Sequence, residues 1–193
     1  MRTNTASDTS TGKARRLGRV HRCVLAAVGV AAVAAILAQA ALAMLQPPVV
    51  PPGSGLNPPI GNKPFLVGHG VGVQIYACDG ASWSFVAPRA SLFADNGELI
   101  IDHFAGPSWR AQDGSTVVGT VVKKATPDQT AIPWLLLSAS PAPGSHPGRL
   151  AGTTFIQRVN TTGGLAPPAS ECSTTTAGTQ AEVPYTADYY FWK

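Results

Sequence analysis

Between residues 65 and 192 the apolar side chains come in short runs broken by turn formers, and no run carries the 3.6-residue stripe of an amphipathic helix. Runs rich in Val, Ile, Phe, Trp and Thr occupy residues 73–78, 83–87, 90–94, 99–104, 116–124, 134–139, 154–161 and 183–192. Asp95-Asn96-Gly97 lies between two of them, and residues that accept positive φ in that position signal a hairpin. Asp113-Gly114 supplies a second turn, and Thr162-Gly163-Gly164 with Pro167 and Pro168 ends another run. The pattern predicts an all-β fold, a single sandwich or closed barrel of about eight or more strands, because both bury one face of every strand and limit open edges. Gly68-His69-Gly70-Val71-Gly72 reads as a flexible turn into the first strand; it misses the dinucleotide fingerprint and no helix follows it.

Ahead of this pattern stands a leader. Lys13, Arg15, Arg16, Arg19 and Arg22 precede an apolar run over residues 23–45 in which Gln39 is the one strongly polar residue. Basic n-region, apolar h-region and the small-x-small exits Ala38-Gln39-Ala40 and Ala41-Leu42-Ala43 read as a signal peptide over residues 1–43. The run is also long enough for an uncleaved signal anchor at 23–45, held with its N-terminus inside by the basic residues. In the first reading the protein is secreted or periplasmic; in the second it is a single-pass membrane protein with its C-terminal domain outside. The membrane is a partner only through this segment, and only if it is not cut.

The charge divides at the same place. Residues 1–22 hold six Lys or Arg against Asp8, a net +5, so a total of +4 leaves about −1 for the rest. Nothing beyond the leader is more basic than Lys123-Lys124, which argues against nucleic acid as a partner. Residues 46–63 carry Pro47, Pro48, Pro51, Pro52, Pro58 and Pro59 with three glycines, a composition expected of a semi-rigid spacer with no core of its own. The remaining residues, 64–193, suit one domain. With Cys23 assigned to the leader, Cys78 and Cys172 are left, and an even count in an exported domain predicts one disulfide; two independently buried thiols are the alternative.

Several blocks of the domain occur together in order: Gln74-Ile75-Tyr76-Ala77-Cys78, Trp83-Ser84-Phe85-Val86-Ala87-Pro88-Arg89-Ala90, His103-Phe104-Ala105-Gly106-Pro107-Ser108-Trp109, Asp113-Gly114-Ser115, Ile132-Pro133-Trp134-Leu135-Leu136-Leu137, Ile156-Gln157-Arg158-Val159-Asn160-Thr161 and Ala187-Asp188-Tyr189-Tyr190-Phe191. In combination they resemble domain-of-unknown-function family 3455, over residues 65–192. The resemblance implies a secreted protein of the kind found in bacteria and fungi. It brings no agreed activity and no catalytic residues.

His103 is the first candidate for chemistry, alternating with Leu99 and Ile101 on one strand face. Asp113 would approach it from the next strand to make an acid/base pair, and Trp109 would wall the same spot. The plainer alternative is a packed histidine bonded to backbone, with Asp113 starting a turn. Arg158 shares a face with Ile156 and Asn160, where a buried guanidinium would need a carboxylate such as Asp188 or Glu182, or else would clamp a ligand. Trp109 and Trp134, beside prolines at strand ends, would offer rings to sugars or apolar ligands. No Gly-x-Ser-x-Gly context, metal-ligand spacing or phosphate loop occurs, so no cofactor and no metal is expected.

Three function classes follow. The first is an exported, non-catalytic module binding an extracellular or cell-wall ligand, either a glycan or a small apolar molecule, with Trp109, Trp134 and Arg158 at the site. The second is a small secreted hydrolase or isomerase using His103 and Asp113. The third is a structural envelope or stress protein.

Overall fold

The computed structural model describes residues 45–193; the expected signal peptide over 1–43, with its two exits, and all but the last residue of the alternative anchor over 23–45 lie outside the described residues. Eight strands follow one another: β1 (Pro64–Cys78), β2 (Trp83–Phe93), β3 (Leu99–Phe104), β4 (Ser108–Ala111), β5 (Thr116–Ala125), β6 (Trp134–Pro141), β7 (Phe155–Gly163) and β8 (Gln180–Trp192). Each pairs antiparallel with the next, and β8 returns to β1, so the sheet closes into a barrel. Closure leaves no strand of the sheet without a neighbour on each side.

β1 runs straight through the glycine-rich segment expected as a turn. The reason is steric. Gly70 and Gly72 alternate with outward residues and face the barrel interior, where a Cβ at Gly70 would stand 2.9 Å from the Tyr189 ring and one at Gly72 would overlap Ala90. Small residues on this strand let large ones from β2 and β8 fill the inside. β2 joins the two expected runs 83–87 and 90–94 into one strand across Pro88. Pro88 lies beyond the β2–β3 ladder, whose last pair is Ala90 with His103, so its missing N–H leaves no gap in that ladder. β4, four residues long, is too short to show a period in the sequence.

The barrel has a filled end and an open end. Leu92, Ile101, Ala111, Val117, Ile156 and Phe191 form the buried plug toward the β2–β3 and β4–β5 turns. The other end is bounded by the β1–β2, β3–β4, β5–β6 and β7–β8 connections. The Cys78–Cys172 disulfide, with Cα atoms 5.5 Å apart, pins the long β7–β8 connection to the end of β1 at this open end. In the chain-entropy description a bridge closing a loop of this size contributes roughly 4 to 5 kcal/mol.

Residues 46–63 are not a free spacer. Leu56 is fully buried, and its carbonyl accepts a 2.7 Å hydrogen bond from Gln157 Nε2. Thr154 Oγ1 donates to Asn62 Oδ1 at 2.6 Å, and Lys63 and Lys193 exchange two backbone hydrogen bonds of 2.7 and 3.1 Å. The segment turns at Pro51–Ser54 and Pro59–Asn62, and one leucine anchors it to the barrel's outer wall.

Candidate functional site

The open end leads into a cavity of about 410 Å³ inside the barrel. Its floor is a ring stack. His103 and Trp109 are cross-strand partners on β3 and β4, and because both point inward their rings lie parallel, 4.3 Å apart at 8°. Tyr189 from β8 tilts against His103 at 5.2 Å and meets Trp109 edge-on at 5.9 Å. Leu135 and Leu137 of β6 and Gln74 and Tyr76 of β1 form walls, and Phe85, Val86 and Val121 form the rim. These three rim residues are half exposed, at 55, 50 and 52 %. Apolar side chains therefore line the path from solvent inward.

The mouth is held open by hydrogen bonds between its connections. Tyr76 Oη donates to the Gly164 carbonyl at 2.7 Å. Thr161 Oγ1 donates to the Ile132 carbonyl at 2.6 Å, and the Arg158 guanidinium donates through Nε and Nη2 to the Pro133 carbonyl at 3.2 and 2.8 Å. Such ties fix the site before any ligand arrives.

Electrostatics set the state of His103. Its Nδ1 lies 2.9 Å from the Ser108 carbonyl, which can only accept, so Nδ1 carries the proton and Nε2 the lone pair. Burial pushes the ring's pKa down to about 3, helped by the nearby Arg158 charge and opposed by the Ser108 hydrogen bond. The imidazole is neutral at physiological pH. Burial also raises the phenol pKa values of Tyr185 and Tyr189, whose hydroxyls lie 3.0 Å apart.

Arg158 is half-buried on β7 and is the one cationic side chain of the lining. Neither expected carboxylate reaches it. Asp188 bonds His69 Nδ1 at 2.7 Å and Asn160 Nδ2 at 2.8 Å, while Glu182 pairs with Arg89 at 2.6 Å. A bulge in the β7–β8 ladder, with Asn160 at φ 51°, turns Asn160 to the surface and out of the row that Ile156 and Arg158 share.

The structure thus brings His103, Trp109 and Arg158 into one cavity and leaves Asp113 and Trp134 outside its lining. Asp113 sits in the β4–β5 turn, at the far end of β4 from the His103–Trp109 pair, roughly 10 Å along the strand. Its carboxylate accepts from Ser115 Oγ at 2.6 Å, Ser115 N at 3.0 Å and Arg149 N at 2.6 Å. Those three bonds, the Ser115 hydroxyl first, lower its pKa to about 2. Asp113 organises the closed end. Trp134 alternates with Pro133 and Leu135, which face the cavity, and so stands on the outer face of β6. Gln74 and Leu135 are site residues that the sequence reading passed over; a lone glutamine alternating with Tyr76 on an otherwise apolar strand face was the available signal. Among the described residues no group of three or more His, Cys, Asp or Glu is placed to hold a metal ion.

Neither the curated proteins nor the solved structures include a match to this chain. The family profile described as "Protein of unknown function (DUF3455)" matches residues 59–193, from the end of the proline-rich segment through the last strand. With well over half of its length matched, the chain belongs to the DUF3455 family.

Proposed function

We propose that the domain is a non-catalytic carrier or sensor that takes a small, largely apolar molecule into the open end of its barrel, outside the cytoplasm. The observation that carries this reading is the cavity itself: about 410 Å³, apolar on most of its surface and reached past an exposed apolar rim. That volume is in the range of small-molecule sites, and eight-stranded barrels are wide enough to hold one small ligand. The Cys78–Cys172 disulfide supports an oxidising compartment, as does the leader's pattern of charge and small residues. Among the described residues no helix is long and apolar enough to cross a membrane.

Of the two ligand classes expected, the small apolar molecule fits better than a glycan. Sugar stacking needs an open ring face, and Trp109 is fully buried with His103 against it. Acid/base chemistry has less support: His103 lacks the Asp113 partner, and a ring with its pKa at about 3 is a weak base. The test is binding of a neutral apolar dye such as phenylnaphthylamine. Leu135→Trp, which fills the cavity, abolishes the enhanced fluorescence, and Trp134→Ala on the outer face leaves it unchanged. Equal dye binding by wild type and Leu135→Trp, or none by wild type, would overturn the reading.

A further inference from the structure

We infer that the ligand carries a carboxylate and that Arg158 receives it inside the barrel. This rests on the cavity being the ligand site, and it specifies the head group. A guanidinium drawn into an apolar cavity costs free energy unless an anion meets it. Among the described residues Arg158 has no such partner: no Asp or Glu lines the cavity, and the two carboxylates nearest in the strand register are held by His69, Asn160 and Arg89.

Two of its five N–H groups go to the single Pro133 carbonyl. Of the three that remain, one is directed at the Tyr189 oxygen, and two are left for a ligand. The Pro133 contact fixes the plane of the guanidinium, so those donors are presented in a set direction rather than swinging into solvent. The cavity thus presents one positive charge that no lining carboxylate balances, with a surplus of guanidinium N–H groups.

A carboxylate matches that surplus in charge and shape. It is planar, accepts two parallel N–H bonds from a guanidinium, and carries a single charge. A doubly charged phosphate monoester would leave one buried charge uncompensated. The apolar rim of Phe85, Val86 and Val121 takes the rest of the molecule. The ligand class is therefore an amphipathic monocarboxylic acid, aliphatic or aromatic, with its acid group at Arg158 and its apolar part along the apolar wall and rim.

The experiment compares displacement of phenylnaphthylamine by decanoate and by decanol from the protein with its disulfide formed, at about pH 7.5, where the acid is ionised. Decanoate is expected to displace the dye at least about tenfold more tightly than decanol, a difference of about 1.4 kcal/mol. Arg158→Met is expected to erase that preference while decanol still competes, and Arg158→Lys, which keeps the charge without the fork, to retain part of it. Should Arg158→Met fail to fold, the lysine variant and decyl sulfate carry the test. The sulfate has the same charge on a tetrahedral head, and binding as tight as decanoate overturns the carboxylate assignment. Equal displacement by acid and alcohol in the wild type overturns the head-group inference and leaves the cavity reading standing. Dye binding that neither competitor disturbs overturns both.

Discussion

At His103 one proton ties stability to pH. The unfolded chain protonates this ring near 6.5, while the folded protein resists until about 3. Between those values the unfolded state holds more protons, so the stabilisation is complete above about pH 6.5 and is lost as pH falls. The slope approaches about 1.4 kcal/mol per pH unit. His69 works in the opposite sense. Asp95 and then Asp188 raise its pKa, so its contribution is full below 6.5 and lost as pH rises through the folded value. Because His69 is partly exposed and paired at the surface, solvent screening keeps that effect small. Urea unfolding across this range is expected to show His103→Phe, which preserves the stack on Trp109, losing much less stability on acidification than the wild type. Parallel pH curves for the two proteins would count against the buried neutral imidazole. His103 and Trp109 were legible as neighbours because each pointed to one face of its strand. Arg158 was legible as a buried cation, but its missing carboxylate was not, since Asp188 and Glu182 lie on the neighbouring strand and only the three-dimensional register reveals that other residues hold them.

At the level of strands, the glycines of β1 carry more of the fold than their sequence context suggests. Gly72→Ala places a methyl against Ala90 and the Arg89 carbonyl, and overpacking of this kind costs about 1 to 3 kcal/mol. Chemical denaturation should show that loss; an unchanged midpoint would mean the β1–β2 contact is looser than described. Alternation identified most strands because a half-buried strand repeats every two residues. It failed where that repeat was interrupted. Glycines hid the first half of β1, Pro88 split β2, and β4 was too brief to alternate. The missed strand and the divided strand offset each other, so the expected count of about eight agrees with the eight observed. The choice between sandwich and barrel depended on β8 returning to β1, a pairing between the two ends of the domain that no local pattern encodes.

For the whole molecule, the disulfide and the cavity belong to the same end of the barrel. Replacing Cys78 and Cys172 together by alanine is expected to cost roughly 2 to 5 kcal/mol and to weaken dye binding, because the β7–β8 connection also receives the Tyr76 hydroxyl at Gly164. Stability and dye affinity measured on the one variant check both parts. An unaltered affinity in a destabilised protein would detach the bridge from the site. The proline-rich segment is part of the folded unit through Leu56 and Gln157, although composition alone marked it as a spacer. One buried leucine in a stretch of prolines leaves no periodic trace.

The central claim is that the ligand sits inside the barrel, and resonance mapping during titration with decanol locates it most directly. The account predicts shifts at the Trp109 indole, the Gln74 side-chain amide and the Leu135 and Leu137 amides, with the Trp134 indole unmoved. Shifts confined to Trp134 and other outer-face residues, or none at saturating decanol, would contradict it.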